Sequence, residues 1–98
     1  MEVADTEFKR ALGLMFRRGG EMLFIFEEEV KLPVWTPFMF FPLDLFFLDR
    51  NKKLTEVKRN LVPWRIYAPK KPYRYFFESA AGKCTEKIVV SRIKKKLN

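Results

Sequence analysis

Asp44 stands inside FMFFPLDLFFL, residues 38 to 48, a run otherwise apolar on both sides of Pro42. A carboxylate buried there without a partner would cost several kcal/mol. Two employments stay open for it. Asp44 can accept backbone N–H groups after the Pro42 corner or pair with Arg17 or Arg65; alternatively it contacts a ligand or serves as the carboxylate of a small hydrolase acting on an anionic or glycosidic substrate. Hydrolysis by paired carboxylates needs a second acid at a defined separation, and spacing pairs none with Asp44. Glu27, Glu28 and Glu29 read as a solvated turn, because three consecutive side chains diverge where an oxygen cage needs them to converge. No catalytic residue, metal or cofactor is assigned.

A second constellation mixes rings with cations: Trp64-Arg65-x-Tyr67, then Lys70-Lys71-x-Tyr73-Arg74-Tyr75. Rings that stack on bases, beside Lys and Arg that follow phosphates, are the ingredients of a platform for single-stranded nucleic acid. The same residues could instead form a loop lid packed by Trp64, or hold a small anionic or carbohydrate-like ligand. Trp35 reads either as a core wedge or as a stacking residue. Trp35, Asp44, Trp64, Arg65 and Tyr67 are therefore the candidate ligand-binding residues, expected to converge where the proline-rich loop meets the Asp44 corner. Arg17, Lys70, Lys71 and Arg74 are the candidate contacts for an anion or nucleic acid, Arg17 because a guanidinium fork suits phosphate or carboxylate. Cys84 stands beside an expected helix start, where a thiol could be activated, but it has no His and no second Cys to work with.

Composition narrows the rest. The 98 residues contain no His and one Cys, which excludes zinc enzymes, Cys-His proteases and Ser-His-Asp hydrolases. The length suits one domain with a single core, and 11 Phe make that core aromatic. Residues 1–49 carry 5 basic and 9 acidic side chains, while residues 50–98 carry 15 and 3. The sign of the charge thus flips halfway along the chain. A third of the residues are charged and Gln is absent, a composition that suits a hot environment. The opening residues Met1 to Glu7 are acidic and resemble no secretory signal, and the longest apolar run is about half a membrane span. A cytoplasmic protein with no membrane span is expected.

The elements that must position these residues read mainly as strands. Asp5 or Thr6 can cap a short helix over Glu7–Leu12, ended by Gly13. Met22–Phe26 is a buried strand between Gly19-Gly20 and the glutamates. Prolines at 33 and 37 allow only short or edge strands between Val30 and Phe41. Leu45–Leu48 and Leu54–Lys58 form a hairpin around the polar turn Asp49–Lys53. Asn60–Pro72 reads as a long loop and Tyr73–Glu78 as a further strand. Thr85 caps a short helix over Glu86–Val89, and residues 91–98 read as a basic tail.

The series Gly13-Leu14-Met15-Phe16-Arg17, Met22-Leu23-Phe24-Ile25-Phe26, Trp35, Pro42-Leu43-Asp44-x-x-Phe47-Leu48-Asp49 and Pro63-Trp64-Arg65 with Pro69-Lys70-Lys71-Pro72 resembles domain of unknown function 192, also called uncharacterised protein family 0127. The resemblance covers about Val3 to Gly82. It implies a small, mainly antiparallel β-sandwich with jelly-roll-like character and one or two short helices, with no assigned biochemical role. The chain departs from the pattern at Trp35-Thr36-Pro37-Phe38-Met39, where the family usually carries Trp, Met, a basic residue, Asn and Thr. A polar site shared by the family would be altered there. The expectation is a binding or accessory module, with nucleic-acid binding through the basic second half as one alternative and a hydrolase using Asp44 as another.

Overall fold

The structure, a computed structural model, describes residues 2–6 and 20–97. The expected helix over Glu7–Leu12, and Arg17, lie outside the described residues. Among the described residues, seven strands and one helix follow in order: β1 Glu2–Ala4, β2 Glu21–Val30, β3 Val34–Trp35, β4 Leu43–Leu48, β5 Leu54–Leu61, β6 Ile66–Tyr67, β7 Tyr73–Ala80 and α1 Glu86–Leu97. Five strands make one mixed sheet in the order β1-β2-β7-β4-β5, with β1 parallel to β2 and the other neighbours antiparallel. β3 and β6 pair into a separate two-stranded ribbon. The protein is mainly β, as expected from the sequence.

β7 sits at the centre because its aromatics can serve both faces of the sheet. Side chains alternate along a strand, so Tyr75 and Phe77 join one apolar cluster while Phe76 joins the other. Phe76 is paired in register with Phe24 and Phe47, and its ring centroid lies 4.9 Å from each. That stack fixes three strands against one another through contacts worth about 0.5–1.5 kcal/mol per ring pair beyond area burial.

The two faces are covered differently. Val34 and Tyr67 of the ribbon pack with Leu43, Leu45, Phe47 and Phe76. On the opposite face α1 buries Val89 and Ile93 and lays Leu97 against Leu23, Phe46 and Phe77. These three helix positions recur every fourth residue, and the i, i+4 stripe is what carries the helix on to Leu97. The basic stretch read as a tail is therefore helical as far as Leu97. Thr85 caps the helix as expected, its hydroxyl accepting the Ile88 N–H at 3.2 Å.

The β4–β5 hairpin also stands where expected, with the Asp49 carboxylate accepting the N–H groups of Asn51 and Lys53 inside the turn. The long segment after Asn60 holds more order than a loop, since β6 lies within it and pairs with β3. Prolines at 33 and 37 restrict β3 to its two residues, as Pro offers no ladder donor.

Candidate functional site

The expected pocket does not assemble, and strand alternation is the reason. Leu43, Leu45 and Phe47 face the ribbon, so Asp44 between them points to the helix side of the sheet. Trp35 and Arg65 belong to the ribbon side, and the sheet separates them from Asp44. The carboxylate is 2% exposed and saturated with donors. The Arg59 Nη1 and the Gly82 N–H each donate to Oδ2 at 2.9 Å, and the Asn60 N–H donates to Oδ1 at 2.9 Å. Burial pushes the Asp44 carboxyl up, but the Gly82, Asn60 and Arg59 donors outweigh it and hold the group below its usual range.

β5 makes this arrangement possible by a bulge. Leu43 faces Leu61 and Leu45 faces Lys58, so β5 spends one residue more than β4 over the same stretch. Asn60 takes φ 56 there, a left-handed conformation that Asn tolerates. The bulge turns the Arg59 guanidinium and the Asn60 N–H toward one carboxylate. Arg59 also donates to the Cys84 carbonyl at 3.0 Å, which joins β4, β5 and the turn before α1. The cation paired with Asp44 is thus Arg59, where the sequence suggested Arg17 or Arg65. Asp44 is a fastener in this fold.

The ribbon gathers the exposed rings. Val34 and Tyr67 point inward, so their neighbours Trp35 and Ile66, paired across the ribbon, point outward. They are 59% and 65% exposed. Trp64 is 53% exposed and Phe38 47%, and their ring centroids lie 4.8 Å apart, edge to face. Both residues hold a positive φ, 63 for Trp64 and 58 for Phe38. For bulky side chains the left-handed region costs about 1–2 kcal/mol each, so the surroundings must enforce it.

Thr36 enforces it. The residue is 1% exposed. Its N–H donates to the Arg65 carbonyl at 3.0 Å and its carbonyl accepts the Trp64 N–H at 2.8 Å. Its hydroxyl accepts the Arg65 N–H at 3.0 Å and lies within donating reach of the Val62 and Arg65 carbonyls, at 3.0 and 3.1 Å. The position where the chain departs from the family pattern is therefore a clamp that closes the 62–65 turn and presents Trp64 and Arg65. The sequence offered one signal for it, a polar residue set between Trp35 and Pro37.

The remaining candidates divide. Tyr67 turns inward, its ring 5.9 Å from Phe47 and its hydroxyl donating to Glu56. That bond, then burial and the Glu56 charge, push the phenol up to about 12. Glu56 also accepts the Lys70 and Lys71 N–H groups, which holds both exposed lysines beside the ribbon's root. Arg74 is committed to the fold, its Nε donating to the Phe26 carbonyl at 3.1 Å and its guanidinium 5.5 Å from the Tyr75 ring. Arg17 lies outside the described residues. Cys84 is buried, and burial together with the Glu21 charge pushes its thiol up. Among the described residues there is no cluster of three metal-binding side chains and no helix long and apolar enough to cross a membrane.

Sheet, ribbon and helix together define a small mixed-sheet β protein that displays an aromatic ribbon on one face and a basic helix on the other. Its relatives share that frame. The chain belongs to the domain of unknown function 192 family, an uncharacterised family whose model matches residues 1–92. It is 40% identical over 85 residues to a UPF0127 protein of Pyrococcus abyssi and 39% identical over 85 residues to one of Pyrococcus horikoshii. Each match covers 84% of this chain, with 72% and 73% of the respective relatives. Among solved structures, a candidate transcription regulator from Sinorhizobium meliloti 1021 is similar at TM-score 0.77 and 29% identity, over 95% of this chain and 72% of that one. A protein of unknown function from Novosphingobium aromaticivorans shares the fold at TM-score 0.77 and 23% identity, over 95% and 66%.

Proposed function

We propose that this protein is a binding module that takes single-stranded nucleic acid on the outer side of the β3–β6 ribbon. One observation carries the reading. Both tryptophans of the chain are more than half exposed on the ribbon and its adjoining turn, and Thr36 fastens the turn that carries Trp64 and Arg65. The Trp64 indole, half in water, gains too little burial to match the strained backbone beneath it, whereas a base stacked on an aromatic ring contributes about 1–3 kcal/mol. Arg65 stands exposed beside Trp64, and Lys70 and Lys71 follow within one loop, supplying cations for the phosphates.

The whole charge, +8, favours a polyanion. A small anion or a single sugar would use one ring and one cation and leave the others idle. Asp44, with every described donor directed at it for structural reasons, gives little support to the hydrolase alternative. The Sinorhizobium neighbour described as a candidate transcription regulator lends the reading a precedent. A cytoplasmic setting, where nucleic acid is found and Cys84 stays reduced, goes with it.

The test uses the two tryptophans as reporters. Oligouridylate or oligothymidylate added at low ionic strength should quench their fluorescence saturably, with affinity that falls as salt rises. Unchanged emission at low salt would overturn the proposal.

A further inference from the structure

The outer face of α1, on the opposite side of the sheet from the ribbon, lends that reading only its share of the whole charge. Residues 83–97 carry six basic side chains and one acidic one. Lys83, Lys87, Arg92, Lys94, Lys95 and Lys96 are all exposed. Arg92 is paired with Glu21, and among the described residues the five lysines have no ion pair. Lys87, Ser91, Lys94 and Lys95 recur at helical spacing on one side and line a shallow groove together with Glu86 and Val90.

Helix stability explains only part of this. Lysines at 94 to 96 occupy the last turn, where cations complement the helix dipole. Lys83 and Lys87 stand at the other end, where the dipole favours anions, and Arg92 and Lys96 repel each other at i, i+4. A partner that neutralises the whole stripe would account for both ends.

We infer that the outer face of α1 is a phosphate-binding surface for double-stranded nucleic acid, independent of the ribbon. Charge complementarity selects a polyanion. The face carries no aromatic ring, only Ile88 among its lysines, so it can grip phosphates and has nothing on which to stack bases. An anionic membrane is disfavoured because an interfacial helix must offer lipid its apolar stripe, and here Val89 and Ile93 are buried and Leu97 is packed against the sheet. The protein would then hold a duplex on one side and an unpaired strand on the other.

Binding to a fluorescent duplex, followed by anisotropy as salt is varied, tests this in the full chain. The expected result is binding at low salt, with a Lys87→Gln, Lys94→Gln, Lys95→Gln protein that binds more weakly and loses about 2.7 from the slope of log affinity against log salt. Trp35→Ala with Trp64→Ala should leave duplex binding intact. Lys87→Glu keeps the test sound if the triple variant misfolds, because it suits the helix dipole yet should still weaken binding. No retention at low salt, an unchanged slope in the folded triple variant, loss of duplex binding in the tryptophan variant, or retention of polyglutamate without duplex would each overturn the inference. Failure here leaves the fluorescence response to single strands unaffected, so the two proposals fail separately.

Discussion

Phe38 and Trp64 meet edge to face with centroids 4.8 Å apart while each holds a left-handed backbone, φ 58 and 63. Two bulky residues kept in that region and left about half in water spend stability without a matching gain in burial. Such a pairing is understandable where the exposed rings have a ligand to meet. Asn adopts the left-handed region more readily than Trp, so Trp64→Asn should change unfolding free energy by no more than about 1 kcal/mol. The same substitution should weaken single-strand binding by about 1–3 kcal/mol. Denaturant titration and fluorescence of the remaining Trp35 separate the two effects.

Thr36→Val tests the clamp. The substitution keeps shape and removes the hydroxyl that accepts the Arg65 N–H, leaving a part-buried donor unmet at a cost of about 1 kcal/mol. It should also weaken binding, since the turn carrying Trp64 loosens. A variant with lower stability and unaltered affinity would show that Thr36 supports the fold alone.

Asp44→Ala should cost about 1–3 kcal/mol, because it removes the acceptor of two backbone donors, while Arg59, 45% exposed, can turn to water. The wild-type pH dependence follows from the same bonds. The folded carboxyl lies below its unfolded value near 4, so its stabilising contribution is complete above that value and is lost as pH falls through the folded one. Urea midpoints measured at descending pH should fall more steeply for wild type than for Asp44→Ala.

Alkali should act in the opposite sense on Tyr67. Its phenol is pushed up to about 12, against an unfolded value of about 10. The contribution of the Glu56 bond is therefore present below about pH 10 and lost as pH rises toward 12. Tyr67→Phe should make the fall across that window shallower, leaving the part owed to Tyr73, whose phenol is also pushed up to about 12 by burial, as read by thermal melts at graded pH.

Cys84 should be unreactive in the folded protein. A thiol 5% exposed and shifted upward in pKa presents little thiolate. Alkylation should be slow in buffer and fast in denaturant. Rapid native labelling would contradict the burial described here.

Much of the frame was legible in the residues. The aromatic run at Met22–Phe26 and the hairpin around Asp49–Lys53 carry their own periodicity and turn chemistry, and Asp44 advertised a need for partners by its apolar setting. Its partner was hidden because the strand pattern reads only to Lys58 and Asn60 reads as the start of a loop, whereas β5 runs on to Leu61 and its register against β4 exposes the bulge. The outward direction of Trp35 was equally hidden, since an indole looks the same in sequence whether it faces core or water. It took the β3–β6 pairing, with Val34 and Tyr67 claimed by the core, to turn Trp35 and Ile66 outward. The helical tail was readable in principle. Val89, Ile93 and Leu97 keep a four-residue spacing that the surrounding lysines obscured.

The most direct measurement titrates two single-tryptophan proteins, Trp35→Phe and Trp64→Phe, with oligouridylate at low ionic strength. If the ribbon is where bases stack, the remaining indole should be quenched in both proteins, with one shared saturation point for each. Binding that saturates by anisotropy while neither indole responds would place the strand elsewhere and contradict the account.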